Sequence, residues 1–372
     1  MDEENLVTVV IPNYNGMQYI QECLDSIFAG TYVPAVVVVD NGSTDGSRQL
    51  VEESYPDVTL LKLSVNTGFC HAVNEGMHLV RTPYVMLLNN DAKVEKNCIA
   101  ELLSVMRAHP RIFSTQALML SWQNPDIIDD AGDLYSAFGW AFARAKGKNS
   151  KRERKKTRLV HIFASCAGAA MYRMNVFDEI GWFDERHFCY LEDIDIGWRA
   201  QIYGYGNRMD PKAIVYHKGS AASGSRYNAF KEVMTAGNNA CLLYKNMPAL
   251  QYGINAPLWM IGRAVKKRYF KKKGLGESYE QGLLRGEELK NSVKDQTWLD
   301  QYEYPRRKNS LAQEALVSKG KEAENNTSFA KTREDVIPLY LGEKIPFHLS
   351  RLPYYLSIQG QLIAGCFRRI WN

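Results

Sequence analysis

Three carboxylates within residues 190–199 are the groups in this chain best suited to acid–base chemistry. A helix beginning here would place Glu192, Asp195 and Arg199 at spacings of three and four residues, so that both acids could pair with Arg199. Asp193 lies off that face and would be left free. A carboxylate without a partner among apolar residues can have a pKa suited to accepting a proton, which makes Asp193 a candidate general base. The alternative is a helix N-terminus whose acids complement the helix dipole.

The elements that would position such a site are indicated by four apolar runs near the start of the chain. The runs 6–11, 35–39, 58–63 and 84–88 alternate with helical patterns, which predicts βαβ units. We therefore expect an α/β fold with a parallel sheet and helices on both faces.

Polar residues follow the ends of these runs, namely Asn13, Asn15, Asp40, Asn66, Asn89 and Asp91. Ligands bind at the carboxyl ends of strands in such sheets, so we expect these side chains to share one site. Each residue alone could equally be a turn former or a helix cap.

Glycine-rich phosphate-binding motifs are absent from the sequence, both G-x-G-x-x-G after the first strand and the P-loop pattern. A nucleoside diphosphate bound here would therefore need a metal ion, and Asp91 is placed to supply a ligand. A second candidate ligand is His217, which ends the predicted strand 214–217. A lone histidine in that position is more often a structural hydrogen-bonder, but the neighbouring metal candidate favours ligation.

Composition narrows the class of protein. The chain has 372 residues, a formal net charge of +5, and 45% hydrophobic residues, which suffice for a large packed core. Seven cysteines without a C-x-x-C pair indicate a reducing compartment and argue against structural zinc. Residues 1–5 do not resemble a signal peptide, and no apolar run approaches ~18 residues. We expect a cytoplasmic protein, or one bound to the inner face of a membrane.

Basic and aromatic segments suggest a surface that contacts membrane. The basic segment 144–158 predicts a solvated, mobile loop, or else a clamp for anionic lipid headgroups or a phosphate-bearing acceptor. Nucleic acid is disfavoured because no aromatic residue is interleaved with these charges.

Helical patterns follow residue 227, and the basic run 263–273 suits either a solvated helix face or an anionic membrane surface. Residues 309–333 suggest a helix or a partly ordered connector. The aromatic tail 339–371 favours equally a membrane-interface helix and a homodimer contact.

An ordered set of motifs resembles family 2 glycosyltransferases of the GT-A fold, and within them rhamnosyltransferase-like enzymes of bacterial cell-wall and surface-polysaccharide assembly. The motifs are 7–15 (VTVVIPNYN), 39–45 (VDNGSTD), 66–69 (NTGF) with Asn74, 89–91 (NND), 181–185 (GWFDE), Glu192-Asp193 and His217. The resemblance covers roughly residues 6 to 246. It implies a GT-A domain at 1–246 with a mixed, Rossmann-like sheet, followed by a mainly helical C-terminal extension at 247–372.

The resemblance also implies a role for each matching residue. Asp193 would be the catalytic base and Glu192 would contact a sugar. Asp91 and His217 would hold Mg²⁺ or Mn²⁺, whereas Asn89 replaces the first aspartate of the D-x-D motif and could bond the ribose. Asp40 would accept a hydrogen bond from a pyrimidine ring. The other residues implied in substrate binding are Pro12, Tyr14, Asn15, Asn41, Asn66, Gly68, Asn74 and Asn90.

The chemistry implied is the inverting transfer of a sugar from a nucleoside diphosphate to a saccharide or lipid-linked acceptor. We expect a dTDP- or UDP-sugar donor and favour dTDP-rhamnose, with a UDP-hexose as the alternative. A nucleotidyltransferase would need a glycine-rich basic loop after the first strand, which residues 12–16 are not. A non-catalytic membrane-surface scaffold is the other rival, and Asp91, Asp193 and His217 argue against it.

Overall fold

Parallel strands form the first half of the sheet. The computed structural model describes residues 5–219, 227–295 and 344–371. Strands β1 (Val7–Asn13), β2 (Ala35–Asn41), β3 (Thr59–Leu63) and β4 (Tyr84–Leu88) follow the four predicted runs. Strand β1 lies between β2 and β4 and is parallel to both, so the predicted βαβ units are confirmed. The helices between these strands are α1 (Ile20–Phe28), α2 (Ser47–Ser54) and α3 (Phe69–His78).

The second half adds antiparallel pairing and makes the sheet mixed. Its strands are β5 (Ala92–Val94), β6 (Ile112–Ser121), β7 (Ile128–Asp130), β8 (Asp133–Ser136), β9 (Trp140–Ala143), β10 (Val160–Ile162), β11 (Ala169–Arg173) and β12 (Gly206–His217). The strand order is β10-β12-β6-β11-β4-β1-β2-β3, in which β11 runs antiparallel to β4 and β6. Strands β8 and β9 form a separate hairpin. The helices of this half are α4 (Cys98–Ala108), α5 (Lys151–Arg154), α6 (Met174–Ile180) and α7 (Glu192–Ile202).

Alternation along the buried strands gives the sheet two apolar faces. Val9 and Ile11 of β1 face one core cluster, which includes residues of α1 and α4. Val10 faces the other, which includes residues of α3 and α6. Because both faces are covered, the strand sequence is almost continuously apolar, as expected for a parallel sheet.

Within the described part of the chain, four helices follow the sheet, and they confirm the predicted helical C-terminal region. They are α8 (Ala229–Asn246), α9 (Ala249–Lys272), α10 (Gly276–Asp295) and α11 (Leu352–Trp371). The predicted boundary at 246/247 coincides with the end of α8, although a division into two domains stays a prediction. The segment 309–333 lies outside the described residues. None of the helices described is both long and apolar enough to cross a bilayer.

The basic segment 144–158 is mainly exposed, as its composition predicts, but it contains the short helix α5 and several ion pairs. Buried Glu153, on the short helix α5, accepts hydrogen bonds from Arg144 at 2.8 Å and Lys156 at 2.7 Å. Lys146 pairs with Asp129 at 2.6 Å. Buried Glu153 therefore holds part of this basic segment in a defined conformation.

Candidate active site

The ends of β1, β2 and β4 are joined through the buried side chain of Asn13. Its Nδ2 donates to Asp40 at 3.2 Å and to Ser47 at 2.9 Å, while its Oδ1 accepts from Asn90 at 2.8 Å. Gly16 allows this close approach, since a Cβ there would lie 2.2 Å from Asn90 Nδ2. The predicted convergence of strand-end polar residues is therefore present.

A second set of contacts connects the end of β2 to the loop after β3. Asn41 Nδ2 donates to Asn66 Oδ1 and to the Gly68 carbonyl, both at 3.1 Å. Gly68 has a φ of +90°, and a Cβ there would lie 2.5 Å from the ring of Phe188. These residues bring the loop at 66–68 against the segment that precedes α7.

The predicted nucleobase residues differ in their accessibility. Tyr14 is 38% exposed, and Asn15 accepts a hydrogen bond from the Thr44 backbone N–H at 2.9 Å. Pro12 is half-buried. Asp40 is completely buried and already accepts hydrogen bonds from Asn13 and the Ser43 backbone. Tyr14 is thus open to a ligand, whereas Asp40 is engaged inside the protein.

Asn74 occupies a different place from the one that the motif suggests. Its side chain is fully buried, with Nδ2 donating at 2.9 Å to the Phe183 carbonyl and to Glu185, and Oδ1 accepting from Phe183 N. The residue holds the segment 183–185 against α3. This corrects the expectation that it lies along the nucleotide, because its polar atoms are used within the protein.

The two predicted metal ligands are in contact. Strand β12 pairs with β5, which places His217 Nε2 3.1 Å from Asp91 Oδ1 and 3.2 Å from Asn89 Nδ2. The other ring nitrogen, Nδ1, lies 2.7 Å from Asp129 Oδ2. Although burial lowers the pKa of His217, the hydrogen bonds to Asp129 and Asp91 raise it to about 9.

This donor set suits a divalent cation. Mg²⁺ and Mn²⁺ accept carboxylate oxygen, and an imidazole whose far nitrogen is held by a carboxylate is a common ligand arrangement. Asp129 would orient His217, and Lys146 pairs with that same carboxylate. The local pattern around Asp129 gives no indication of this role, because the contact depends on the pairing of β6 with β7 and β12.

The proposed base, Asp193, has a partner that the helix pattern does not reveal. It lies in the first turn of α7, is half-buried, and accepts a hydrogen bond from Ile194 N at 2.7 Å. Its carboxyl also hydrogen-bonds Asp133 of β8, so the expectation that it is left free is wrong. Burial raises the pKa of Asp193 to about 6, even though the Asp133 hydrogen bond lowers it.

Asp133 is the donor in its hydrogen bond with Asp193. Burial, together with the charges of Asp130 and Asp193, holds the pKa of Asp133 well above its usual range. The shared hydrogen bond raises the pKa of Asp133 and lowers that of Asp193, which assigns Asp133 as its donor and Asp193 as its acceptor.

Arg199 pairs with one acid, not two. It donates to Asp195 Oδ2 at 2.8 Å and to the carbonyls of Gly181 and Trp182, while Glu192 is not among its partners. Glu192 is buried, and within the described chain its Oε2 has no hydrogen-bond partner. Burial raises the pKa of Glu192 to about 8. A buried carboxyl oxygen without a partner is a suitable contact for a sugar hydroxyl.

The segment 129–133 links the metal pair to the base. Asp129 contacts His217, and Asp133 contacts Asp193. Four residues of extended chain span at most roughly 14 Å between Cα atoms. A short stretch of chain therefore connects the partner of His217 to the partner of Asp193.

Strained backbone precedes helix α7. Phe188, Tyr190 and Leu191 have φ values of 57°, 72° and 64°, a region that costs side-chain-bearing residues about 1–3 kcal/mol each. Asn238 of α8 donates to the carbonyls of residues 187, 189 and 190 at 2.9, 2.9 and 2.7 Å. Arg285 of α10 donates to Asn238 Oδ1 at 2.6 Å. Neither residue is recognisable from its local sequence pattern.

Comparison with known proteins shows which family part of the chain resembles. Residues 8–181 match the model of the family described as "Glycosyl transferase family 2". An N-acetylglucosaminyl-diphospho-decaprenol L-rhamnosyltransferase of Mycobacterium tuberculosis is 26% identical over 242 residues, which cover 59% of this chain and 78% of that protein. A poly-beta-1,6-N-acetyl-D-glucosamine synthase of Staphylococcus epidermidis is 20% identical over 213 residues, covering 56% of this chain and 49% of that protein.

Among solved structures, the crystal structure of GalNAc-T7 with UDP, GalNAc and Mn²⁺ superposes with a TM-score of 0.54 at 19% identity. The match covers 66% of this chain and 48% of the GalNAc-T7 chain, and it concerns the fold alone. This likeness places the chain in the GT-A fold, and the match over residues 8–181 shows that it carries a family 2 glycosyltransferase domain.

Proposed function

We propose that this enzyme is an inverting, metal-dependent glycosyltransferase that moves a sugar from a nucleoside diphosphate to a saccharide or lipid-linked acceptor. The observation that carries the proposal is the segment 129–133, which joins the His217–Asp91 pair to the Asp193 base. A transferase of this kind needs a cation beside the leaving diphosphate and a base beside the acceptor hydroxyl.

In the proposed reaction, Asp193 removes the proton from an acceptor hydroxyl. The hydroxyl oxygen then attacks the anomeric carbon from the face opposite the leaving group, and the bond from that carbon to the diphosphate oxygen breaks. Glu192 holds a sugar hydroxyl through its free oxygen. Asp91 and His217 would hold Mg²⁺ or Mn²⁺, which when bound neutralises charge on the leaving diphosphate. One displacement inverts the anomeric centre without a covalent intermediate.

The names of relatives support a choice of substrates. The mycobacterial relative is named as an L-rhamnosyltransferase that acts on a decaprenol-linked sugar, so we favour dTDP-rhamnose and a lipid-linked saccharide in envelope polysaccharide synthesis. A UDP-hexose is the alternative donor. Such an acceptor would place the enzyme peripherally at the cytoplasmic face of the membrane.

The test of the base is Asp193→Asn, assayed against a panel of nucleotide sugars. We expect the variant to fold normally and to lose transfer by at least about 100-fold, because general base catalysis contributes ~10²–10⁴-fold. The exposed Asp57→Asn is the matched control and should retain full activity. Near-normal turnover by Asp193→Asn would refute the assignment. Thermal-shift stabilisation by UDP, dTDP or GDP with Mn²⁺ would identify the nucleotide independently.

The metal requirement is tested separately. EDTA should abolish transfer, added Mn²⁺ or Mg²⁺ should restore it, and Asp91→Ala should reproduce the loss without rescue by metal. Full turnover in EDTA would remove the cation from the mechanism while leaving the Asp193 assignment intact.

A further inference from the structure

Helix α9 exposes a continuous apolar stripe. Leu250, Ile254, Ile261 and Val265 recur at intervals of four, seven and four residues, which places them on one helix face. All four are exposed, Leu250 by 76%. The first fourteen residues of the helix, 249–262, contain no charged side chain. A solvated helix face would ordinarily carry polar residues at these positions.

Helix α11 repeats the same arrangement. Leu352, Leu356, Ile363 and Phe367 have the identical spacing and are likewise exposed, Leu356 by 63%. The opposite face of α11 is buried, with Ile358 and Leu362 packed in the apolar cluster that contains Trp198 of α7. The stripe is therefore a separate apolar surface, because the core contacts of α11 are made by other residues.

The two helices are neighbours. Gln359 of α11 exchanges hydrogen bonds with Asn255 of α9 at 2.8 and 2.9 Å, and it accepts one from Gln251 at 3.0 Å. The inner sides of both helices contribute to one apolar cluster, which Tyr252 and Trp259 of α9 join. Two exposed apolar stripes consequently lie on adjoining helices.

Positive charge surrounds these stripes. Residues 249–273 and 344–372 contain no Asp or Glu. The C-terminal third of α9 and the residue after it carry Arg263, Lys266, Lys267, Arg268, Lys271, Lys272 and Lys273. Exposed Arg368 directly follows Phe367, the last residue of the α11 stripe. Each basic residue near an anionic bilayer surface contributes about fivefold to binding.

We propose that the outer faces of α9 and α11 form a docking surface for a bilayer that contains anionic phospholipid. Exposed apolar stripes with flanking Lys and Arg match the interfacial region of such a bilayer, where side chains enter the acyl boundary and cations meet phosphate. A second copy of the chain is a poorer occupant, because pairing two such faces would oppose like charges.

The docking surface is connected to the proposed base. Trp140 Nε1 of β9 donates to the Gly262 carbonyl of α9 at 3.2 Å, and a Cβ at Gly262 would overlap the Phe138 carbonyl. The β8–β9 hairpin begins at Asp133, the partner of Asp193. This inference extends the proposed function, since docking would bring the base near a lipid-linked acceptor.

The test is flotation of the full-length protein with vesicles, without donor or acceptor, so that its outcome is independent of transfer. We expect binding to phosphatidylglycerol-containing vesicles at low salt, weaker binding at 0.5 M NaCl, and little binding to pure phosphatidylcholine. The double variant Ile261→Glu/Leu356→Glu should lower the partition coefficient at least tenfold. Replacing Lys271, Lys272 and Lys273 by Gln should lower it by about 100-fold.

The matched control is Val33→Glu, which places the same charge on an exposed valine in the loop before β2. It should bind vesicles like the unmodified protein. Failure of the unmodified protein to float with anionic vesicles would overturn the proposal, and so would equal binding by the double variant. A dimer that the double variant disrupts, without vesicle binding, would assign the surface to a second copy instead.

Discussion

At the scale of single residues, the protonation of the proposed base is set by its neighbour. Burial and the charges of Asp130 and Asp193 hold the pKa of Asp133 well above its usual range. Burial raises the pKa of Asp193 to about 6, although the hydrogen bond from Asp133 lowers it. Asp193 is therefore mainly ionised at pH 7 and becomes protonated as the pH falls through about 6. The decrease of kcat/KM at acidic pH, which we call the acid limb, should follow this titration of Asp193.

We predict that Asp133→Ala moves this acid limb to higher pH by ~1–2 units, since a hydrogen bond to a charged group contributes about 1.5–3 kcal/mol. Asp133→Asn keeps a neutral donor at the same place and should leave the limb nearly unchanged. The measurement is kcat/KM from pH 5 to 9 for both variants. A limb that moves to lower pH in Asp133→Asn would show that Asp133 is ionised in the native enzyme.

A second residue-scale prediction concerns Lys245, whose side chain is almost fully buried. Its Nζ lies 2.6 Å from Asp184 and 2.9 Å from Asp195. Lys245→Met leaves two buried carboxylates short of a partner, and we expect a loss of about 3–5 kcal/mol in the free energy of unfolding. Denaturant unfolding measures this loss.

The matched control for Lys245 is Lys62→Met. Lys62 forms an exposed pair with Glu52 at 2.6 Å, a kind of contact that contributes about 0–1 kcal/mol. Equal losses in the two variants would mean that the buried cluster around Asp184 and Asp195 does not need its cation.

At the scale of elements, the approach to α7 depends on helices far away in the chain. The segment before α7 contains three residues at positive φ, and Asn238 of α8 binds three of its carbonyls. Arg285 of α10 fixes Asn238 through its side-chain oxygen and also binds the Arg186 carbonyl. These contacts offset the backbone strain, and they set the direction in which α7 presents Glu192 and Asp193.

We predict that Asn238→Asp, which keeps the shape but loses the donors, lowers kcat by roughly 10- to 100-fold. The KM for the donor should change less, because the substitution displaces the base and leaves the nucleotide contacts in place. The neighbouring Asn239, which accepts from Tyr135 Oη at 2.5 Å, is the control as Asn239→Asp. A fall in stability with unchanged kcat would make Asn238 a purely structural residue.

The same elements show which contacts a sequence can predict. The strand ends are foreseeable because apolar β-branched runs and the polar residues after them are local signals, and parallel strands present their ends at one edge. Asp133, Asn238 and Arg285 are not foreseeable, because each acts through a partner 47–60 residues away that only tertiary packing brings close. Helical spacing alone likewise misassigned Glu192, since Arg199 turns toward backbone carbonyls.

At the scale of the whole molecule, helix α11 packs against the elements that carry the candidate active site. The Ala137 N–H donates to the Leu362 carbonyl of α11 at 2.9 Å, and Leu362 and Ile358 share an apolar cluster with Trp198 of α7. Gly365 lies against the backbone of β8, where an added Cβ would be 2.3 Å from the Tyr135 carbonyl oxygen. Residues 344–371 therefore pack directly on the elements that carry Asp133 and Asp193.

The packing of α11 on β8 can be tested by substituting two glycines of α11, one at a time. Gly365→Ala must push the helix away from β8, because neither backbone can yield, and we expect a loss of about 1–3 kcal/mol. Gly360→Ala meets nothing within 4 Å, so it should stabilise the helix by about 0.5–1 kcal/mol. Denaturant unfolding monitored by both tryptophan fluorescence and transfer activity provides the measurement. If α11 belongs to the same cooperative unit as the site, the unfolding midpoints from fluorescence and from activity shift together, downward for Gly365→Ala and upward for Gly360→Ala. A shift of the fluorescence midpoint alone would mean that the extension unfolds separately.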